Sequence, residues 1–211
     1  MRGAFITIEG IEGVGKTSSL AAIERRLGSR GVRTLLTREP GGTPFGERLR
    51  ELLLNGEHEE PIVPEAEALL MFAARAQHLA RVIVPALERG DWVVCDRFTD
   101  ATFAYQGGGR GVDRRFLECL RAGVQRGLEP DLTLLLDAPV DVGRGRIAAR
   151  DHDRFEREHA EFFERVRAAY LELAERHPER ITVIDASLPV DGVERQLEDR
   201  LDRFVEEFTR R

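Results

Sequence analysis

Cysteine is nearly absent from this 211-residue sequence: the two present, Cys95 and Cys119, lie 24 positions apart and form neither a metal-ligand nor a redox spacing. Both are expected to be reduced and structural, in a cytoplasmic protein. Long apolar runs are missing as well. None approaches the ~18–20 residues of a membrane span, so no membrane partner is expected. The N-terminal MRGAFITIEG carries one arginine and then a strand-like run broken by Glu9. It lacks the long apolar core and small-residue cleavage site of a signal peptide. Positive charge is not in excess, since 32 Lys and Arg stand against 38 Asp and Glu for a net charge of −6. General nucleic-acid binding leaves a basic footprint and is therefore not expected. The five histidines fall in no metal spacing. No internal repeat, low-complexity tract or Pro/Ser-rich linker divides the chain, and a single domain over 1–211 is expected.

What is there alternates. Five short apolar runs read as strands: Ala4–Glu9, Arg33–Thr37, Trp92–Asp96, Leu132–Asp137 and Ile181–Asp185. The runs VVCD and TLLLD are apolar throughout, as in strands covered on both faces. Helical patterns lie between them. In 64–88, Leu69, Ala73, Ala76, Ala80, Ile83 and Leu87 recur at threes and fours, and Val193, Leu197, Leu201, Val205 and Phe208 do so near the C-terminus. Strands alternating with helices imply an α/β fold, a doubly wound parallel five-stranded sheet with helices on both faces. Such sheets bind ligands at the carboxyl ends of their strands.

Residues 10–17 read Gly10-Ile11-Glu12-Gly13-Val14-Gly15-Lys16-Thr17, which fits the P-loop pattern G-x-x-x-x-G-K-[ST] between a strand and a helix. Its glycines let backbone N–H groups wrap phosphate oxygens, and the helix N-terminus adds partial positive charge. Lys16 is expected to reach the β- and γ-phosphates and the Thr17 hydroxyl to ligate Mg²⁺. This pattern indicates a nucleoside triphosphate, without saying what becomes of it. A guanine-reading N-K-x-D segment is missing, which argues against a switch GTPase.

Other polar groups gather at strand ends. The second strand runs into Arg38 and the breaking residues Pro40, Gly41 and Gly42. The third ends in Asp96-Arg97, where the acid suits Mg²⁺ orientation through water and the arginine suits a bidentate grip on phosphate. A plain Asp–Arg ion pair is the alternative there, and the three glycines 107–109 read equally well as a flexible loop. A second basic cluster beside a P-loop points to transfer between two small phosphorylated molecules, because phosphoryl transfer is catalysed mostly by positioning and positive charge.

The ordered set IEGIEGVGKT, TREPGGT, MFAARAQHL, DRF and AYQGGGRG resembles the bacterial thymidylate kinase family, and the likeness covers nearly the whole chain. The resemblance implies transfer of the γ-phosphoryl group of Mg-ATP to dTMP, giving dTDP and ADP for dTTP synthesis, in a homodimer formed through helices. It implies that Glu12 helps position the monophosphate and its sugar hydroxyl, and that Arg38, Arg97 and Arg50 surround the acceptor phosphate. Arg75 would meet the thymine O4 edge, Thr102 and Gln106 would read the pyrimidine, and Tyr105 would line the sugar pocket. Many members carry a phenylalanine four residues before that arginine. Here Met71 holds the place and Phe72 follows, both on the Arg75 face at ~100° per residue. Either is positioned to cover the base, and Phe72, being aromatic, is the better stacking platform.

Five arginines fall within the 14 residues 144–157. Pro139 opens a helix that leads into Arg144, Arg146, Arg150 and Arg154, and Gly143 and Gly145 weaken that helix by roughly 1 kcal/mol each relative to alanine. A marginally stable, arginine-rich segment, about 143–157, suits a lid over ATP, with Arg150 or Arg154 as catalytic arginine in cis. A solvated face of Arg–Glu pairs is the competing reading. Gly13 follows Glu12 where some family members have arginine, and the resemblance then places the catalytic arginine in the lid. Other pyrimidine monophosphates (dUMP, UMP, CMP) stay open as acceptors. So does a non-catalytic P-loop module, which would have no use for the acceptor arginines.

Overall fold

The computed structural model describes residues 2–55, 60–147 and 154–210. Five strands, β1 (Phe5–Glu9), β2 (Thr34–Arg38), β3 (Trp92–Asp96), β4 (Leu132–Asp137) and β5 (Ile181–Asp185), form one sheet in the order β2-β3-β1-β4-β5. Every pairing is parallel. All five runs read from the sequence are strands. The second is displaced by one residue, which makes Arg38 its last member instead of the first residue beyond it. Strand β1 lies at the centre of the sheet between β3 and β4, and all five of its residues are buried.

Around the sheet lie α1 (Lys16–Ser29), α2 (Pro44–Asn55), α3 (Pro64–His78), α4 (Val84–Glu88), α5 (Thr99–Thr102), α6 (Arg114–Gln125), α7 (Val140–Ile147), α8 (Ala160–Arg176) and α9 (Val190–Thr209). Side chains alternate across a strand, so the two sheet faces bury different sets. Ile6 and Ile8 pack with Ile23 and Leu27 of α1 and Leu197 and Leu201 of α9. On that side Trp92 meets Phe204 and Phe208 edge-on at 5.6 and 5.2 Å. Phe5, Val93 and Cys95 turn the other way, onto Leu79, Ile83, Leu87 and Phe98. Helices therefore cover both faces, as expected. The five apolar positions read in the last helix are all buried. No helix among the described residues is long and apolar enough to cross a membrane.

The stripe read in 64–88 is corrected. Leu69 is 48% exposed, and Ala73, Ala76 and Ala80 face solvent with it. The buried face is Ala68, Phe72, Arg75 and Leu79, together with Glu67 and His78. Two physical causes combine. This helix turns three charged or polar side chains inward to meet partners, so apolarity marks the wrong side. A π-helical stretch, Leu79–Ile83, then joins α3 to α4 and changes the rotational phase, so that Ile83 and Leu87 are buried after all.

A second π-helical stretch, Phe103–Gly109, continues α5 and takes in all three of the residues 107–109 in helical form instead of as a flexible loop. Gly108 and Gly109 lie in close contact with α8. A Cβ on Gly109 would stand 2.5 Å from the Phe162 ring and 2.9 Å from Val166. Gly109→Ala should therefore destabilise the protein by about 1–3 kcal/mol through overpacking. Denaturant unfolding measures this, and a loss below about 0.5 kcal/mol would contradict the packing described.

Candidate functional site

At the carboxyl end of β1 the chain turns through Gly10, Gly13 and Gly15, all at positive φ (136°, 74° and 92°), and enters α1 at Lys16. Those angles favour glycine and direct the intervening N–H groups to one concavity. Lys16 folds back over it, its Nζ donating to Gly10 O at 3.0 Å and Ile11 O at 2.7 Å. Enclosure, reinforced by the neighbouring Arg97 cation, pushes its pKa down to about 8. An arriving polyphosphate reverses that balance, since anionic oxygens favour the charged ammonium.

Beside β1, strand β3 ends at Asp96, paired in register with Ile8. Arg97 follows at φ 65°, in the left-handed region, which costs a non-glycine residue of order 1–3 kcal/mol. That turn throws its guanidinium across the loop. Nη1 donates to Gly10 O at 2.9 Å and to the Tyr170 hydroxyl at 3.3 Å, and Nη2 donates to Glu12 Oε1 at 2.8 Å. The Tyr105 hydroxyl donates to Glu12 at 2.7 Å from the other side. Burial pushes the Tyr105 and Tyr170 phenols well above their ordinary pKa, so both remain O–H donors.

These groups line one cavity of about 1230 Å³. Lys16, Thr17, Arg38, Arg50, Arg75, Arg97, Thr102, Tyr105 and Gln106 all reach its wall. Arg38 is paired with Glu47 at 2.8 Å, and Arg50 Nη1 donates to Pro40 O at 3.0 Å. Gln106 donates to the buried Glu67 carboxylate at 2.7 Å. Asp96 lies on the same wall with Oδ1 buried and without a hydrogen-bond partner. An unpaired buried carboxylate oxygen beside Thr17 fits a hydrated cation, although no cluster of three or more His, Cys, Asp or Glu ligands occurs among the described residues. A metal here would complete its shell with water and phosphate.

Two placements differ from expectation. Phe72 lies in the core, 2% exposed and off the cavity wall, while Met71 reaches the wall. Phe72 instead faces the Arg75 guanidinium at 4.7 Å. Arg154 is also off the wall: its Nε donates to Leu53 O at 2.8 Å and its other end pairs with Glu67. A buried carboxylate within reach outcompetes the open cavity for that cation. Arg150 lies outside the described residues. The arginines of the 143–157 segment that do reach the cavity are Arg146 and Arg157.

Further contacts were not expected from the sequence. Arg146 also borders a smaller cavity of about 260 Å³, lined by Val14, Leu188, Val190 and Val193 on the far side of the P-loop. Glu9, read only as a strand terminus, is wholly buried; it accepts from Phe98 N at 2.7 Å and from the Tyr170 hydroxyl at 2.8 Å. Burial, and then the Asp100 carboxylate, raise its pKa from 4.5 to about 7. Tyr170, out on α8, links that acid to Arg97, and no spacing pattern ties positions so far apart.

Comparison with known proteins gives a consistent result. The thymidylate kinase family model matches residues 8–197. The chain is 54% identical over 206 residues to a thymidylate kinase of Alkalilimnicola ehrlichii, covering 97% of this chain and 94% of that one. It is 57% identical over 194 residues to one of Chromohalobacter salexigens, covering 91% and 92%. It is 59% identical over 187 residues to one of Nitrosomonas europaea, covering 88% and 86%.

The raised pKa of Glu9 makes stability depend on pH. The folded protein holds this proton more tightly than the unfolded chain does, so the stabilisation is full below pH 4.5 and is lost as pH climbs towards about 7. Glu9→Gln cannot titrate there. Wild type should therefore lose stability relative to Glu9→Gln between about pH 5 and 8. Denaturant midpoints across that range test this, and a difference that does not change with pH would refute it.

Proposed function

Since the chain belongs to the thymidylate kinase family and catalyses phosphorylation of dTMP by ATP, we propose that Gly10–Thr17 holds the phosphates of ATP while Arg97, Arg38 and Arg50 hold the phosphate of dTMP. One observation carries this division: Arg97 Nη1 stands 2.9 Å from Gly10 O, which sets the acceptor cation at the mouth of the donor loop. Two polyanions repel unless cations lie between them, and Lys16 and Arg97 border the same space. An acceptor phosphate oxygen attacks the γ-phosphorus of ATP as the bond to the β–γ bridging oxygen breaks, leaving ADP with that electron pair. The attacking oxygen is already anionic, so no general base is required. The Thr17 hydroxyl and the Asp96 carboxylate would hold Mg²⁺, which when bound would neutralise phosphate charge; the unpaired Asp96 Oδ1 supports this assignment.

On the acceptor side Glu12, fixed by Arg97 and Tyr105, is an acceptor for the sugar hydroxyl. The base lies against Met71, with Arg75, Thr102 and Gln106 at its polar edge. On the donor side the small apolar cavity of Val14, Leu188, Val190 and Val193 suits a purine ring, with the Arg146 guanidinium beside it. The 143–157 segment is read as a lid, supported by Arg146 and Arg157 on the cavity wall. Arg146 adds positive charge on the donor side, where it reaches towards the P-loop at Gly13 O, and of the two arginines expected to be catalytic, Arg154 is turned to Glu67 while Arg150 lies outside the described residues. Use of ATP and a nucleoside monophosphate supports a cytoplasmic location without nucleic-acid or membrane partners.

A homodimer is supported by the outer stripe of α3. Leu69, Ala73 and Ala76, continued by Ala80 in the π-helical stretch that follows, give it apolar, mostly small, exposed residues at helical spacing, the composition of a close helix contact.

Two measurements test this reading. A coupled assay with ATP and a panel of monophosphates should show dTMP as the preferred acceptor, and preference for UMP or CMP would reject the base assignment. Ala76→Glu puts a charge in the middle of the α3 stripe and should convert dimers to monomers in analytical ultracentrifugation. A wild type that sediments as a monomer at micromolar concentration would dismiss the dimer.

A further inference from the structure

Arg75 is held from every side but one. Its Nε donates to Glu39 Oε2 at 2.7 Å, and its Nη2 donates to Phe98 O at 3.1 Å and Thr102 Oγ1 at 2.9 Å. The rings of Phe72 and Phe98 lie 4.7 and 5.0 Å from its Cζ. Arg75 is 2% exposed yet reaches the cavity wall, and its Nη1 is buried without a hydrogen-bond partner. A buried N–H₂ left unpaired in a well-ordered network is a demand for an acceptor that the protein does not itself supply.

What sets that demand is the second carboxylate oxygen of Glu39. Oε1 faces His78 Nδ1 at 3.0 Å, and the other ring nitrogen of His78 meets Thr37 Oγ1 at 2.7 Å. Glu39 and His78 are 4% and 0% exposed. Gly42 packs onto the same imidazole, where a Cβ would collide with it. The carboxylate is therefore clamped by the loop that follows β2, and it in turn fixes the guanidinium plane by its edge. Without it the guanidinium keeps only its Nη2 bonds and ring contacts, and the direction of Nη1 is no longer fixed from the Nε edge.

We propose that Glu39, clamped by His78, is the specificity-determining positioning residue of the acceptor site: it holds Arg75 so that one unpaired donor faces the 4-position of the pyrimidine. This rests on the placement of the base against Arg75 given above. A carbonyl at that position satisfies Nη1, whereas the amino group of cytosine sets donor against donor. A site that buries an unpaired donor rejects the wrong partner far more strongly than one that merely lacks a contact. Uracil shares the carbonyl and differs from thymine only in the methyl group, so Glu39 has no part in telling those two apart.

The test is kcat/KM for dTMP, dUMP and dCMP with saturating ATP, in wild type and Glu39→Gln, with folding checked by circular dichroism. Glutamine keeps the shape but offers one acceptor to two donors and no counter-charge. The dTMP-to-dCMP ratio should fall by about tenfold or more, chiefly through the acceptor KM. The dTMP-to-dUMP ratio and the KM for ATP should stay within about twofold. A merely structural defect lowers all three acceptors in parallel, so a parallel loss, or a dTMP-to-dCMP ratio within about threefold of wild type, overturns the proposal. If Glu39→Gln does not fold, His78→Gln takes its place: it keeps the reach to Thr37, releases Glu39 Oε1, and is read by the same ratios. A wild type that accepts dCMP as readily as dTMP removes the Arg75 reading itself, whereas a selective wild type with an equally selective variant removes only the role of Glu39.

Discussion

Parallel pairing of β1 with β3 is the constraint on which the site depends. Ile8 lies beside Asp96 in register, so the loop leaving β1 and the turn leaving β3 emerge at one edge of the sheet, a strand apart. Arg97 uses that proximity by entering the left-handed region and reaching back to the Gly10 carbonyl and to Glu12. An antiparallel neighbour would send its carboxyl end to the opposite edge, and no side chain would bridge the distance. The P-loop and the Arg97 guanidinium are thus brought together by the topology of the sheet.

Gathering cations at one edge has a cost, and the buried carboxylates offset it. Lys16 and six arginines border the main cavity, and their mutual repulsion opposes the fold. Glu12, Glu39 and Glu67 each lie behind the wall or in it, and each holds a cation or an amide in a fixed direction. The arrangement is therefore pre-aligned, and little reorganisation is left for the moment of binding. Glu9 pays part of this electrostatic price, since burial beside Asp100 lifts its pKa to about 7. In return it fixes the Phe98 amide and, through Tyr170, the guanidinium that bridges the two loops.

Local features of this site were legible in the sequence, and long-range ones were not. The run Gly10–Thr17 is contiguous, and its chemistry follows from residue types at fixed offsets. The acid and arginine at 96 and 97 stand at a strand end that apolarity alone locates. The orientation of α3 could not be read in the same way, because the helix buries Glu67, Arg75 and His78 and shows Leu69 to solvent. A hydrophobic stripe identifies the core only when the core wants apolar groups, and here the inward face builds a polar wall. The same helix separates Met71 from Phe72: the aromatic ring packs on the Arg75 guanidinium in the core, and the thioether reaches the cavity wall. Tyr170 and the Glu39–His78 contact join positions from different elements, and only the folded chain brings them within reach.

The arginine-rich segment shows how one small residue redistributes charge. Gly13 lies against the backbone of Gly143 in α7, and a Cβ on Gly13 would collide with it, just as one on Gly143 would stand 2.5 Å from Glu12 O. Helix α7 therefore packs directly on the P-loop, and position 13 has no space for a side chain, least of all an arginine. Positive charge on the donor side must then come from a helix packed this closely, and Arg146 extends from α7 to the Gly13 carbonyl. The two glycines are thus a single device. Their close approach leaves no room for an arginine at position 13 and brings α7, with Arg146, directly against the P-loop.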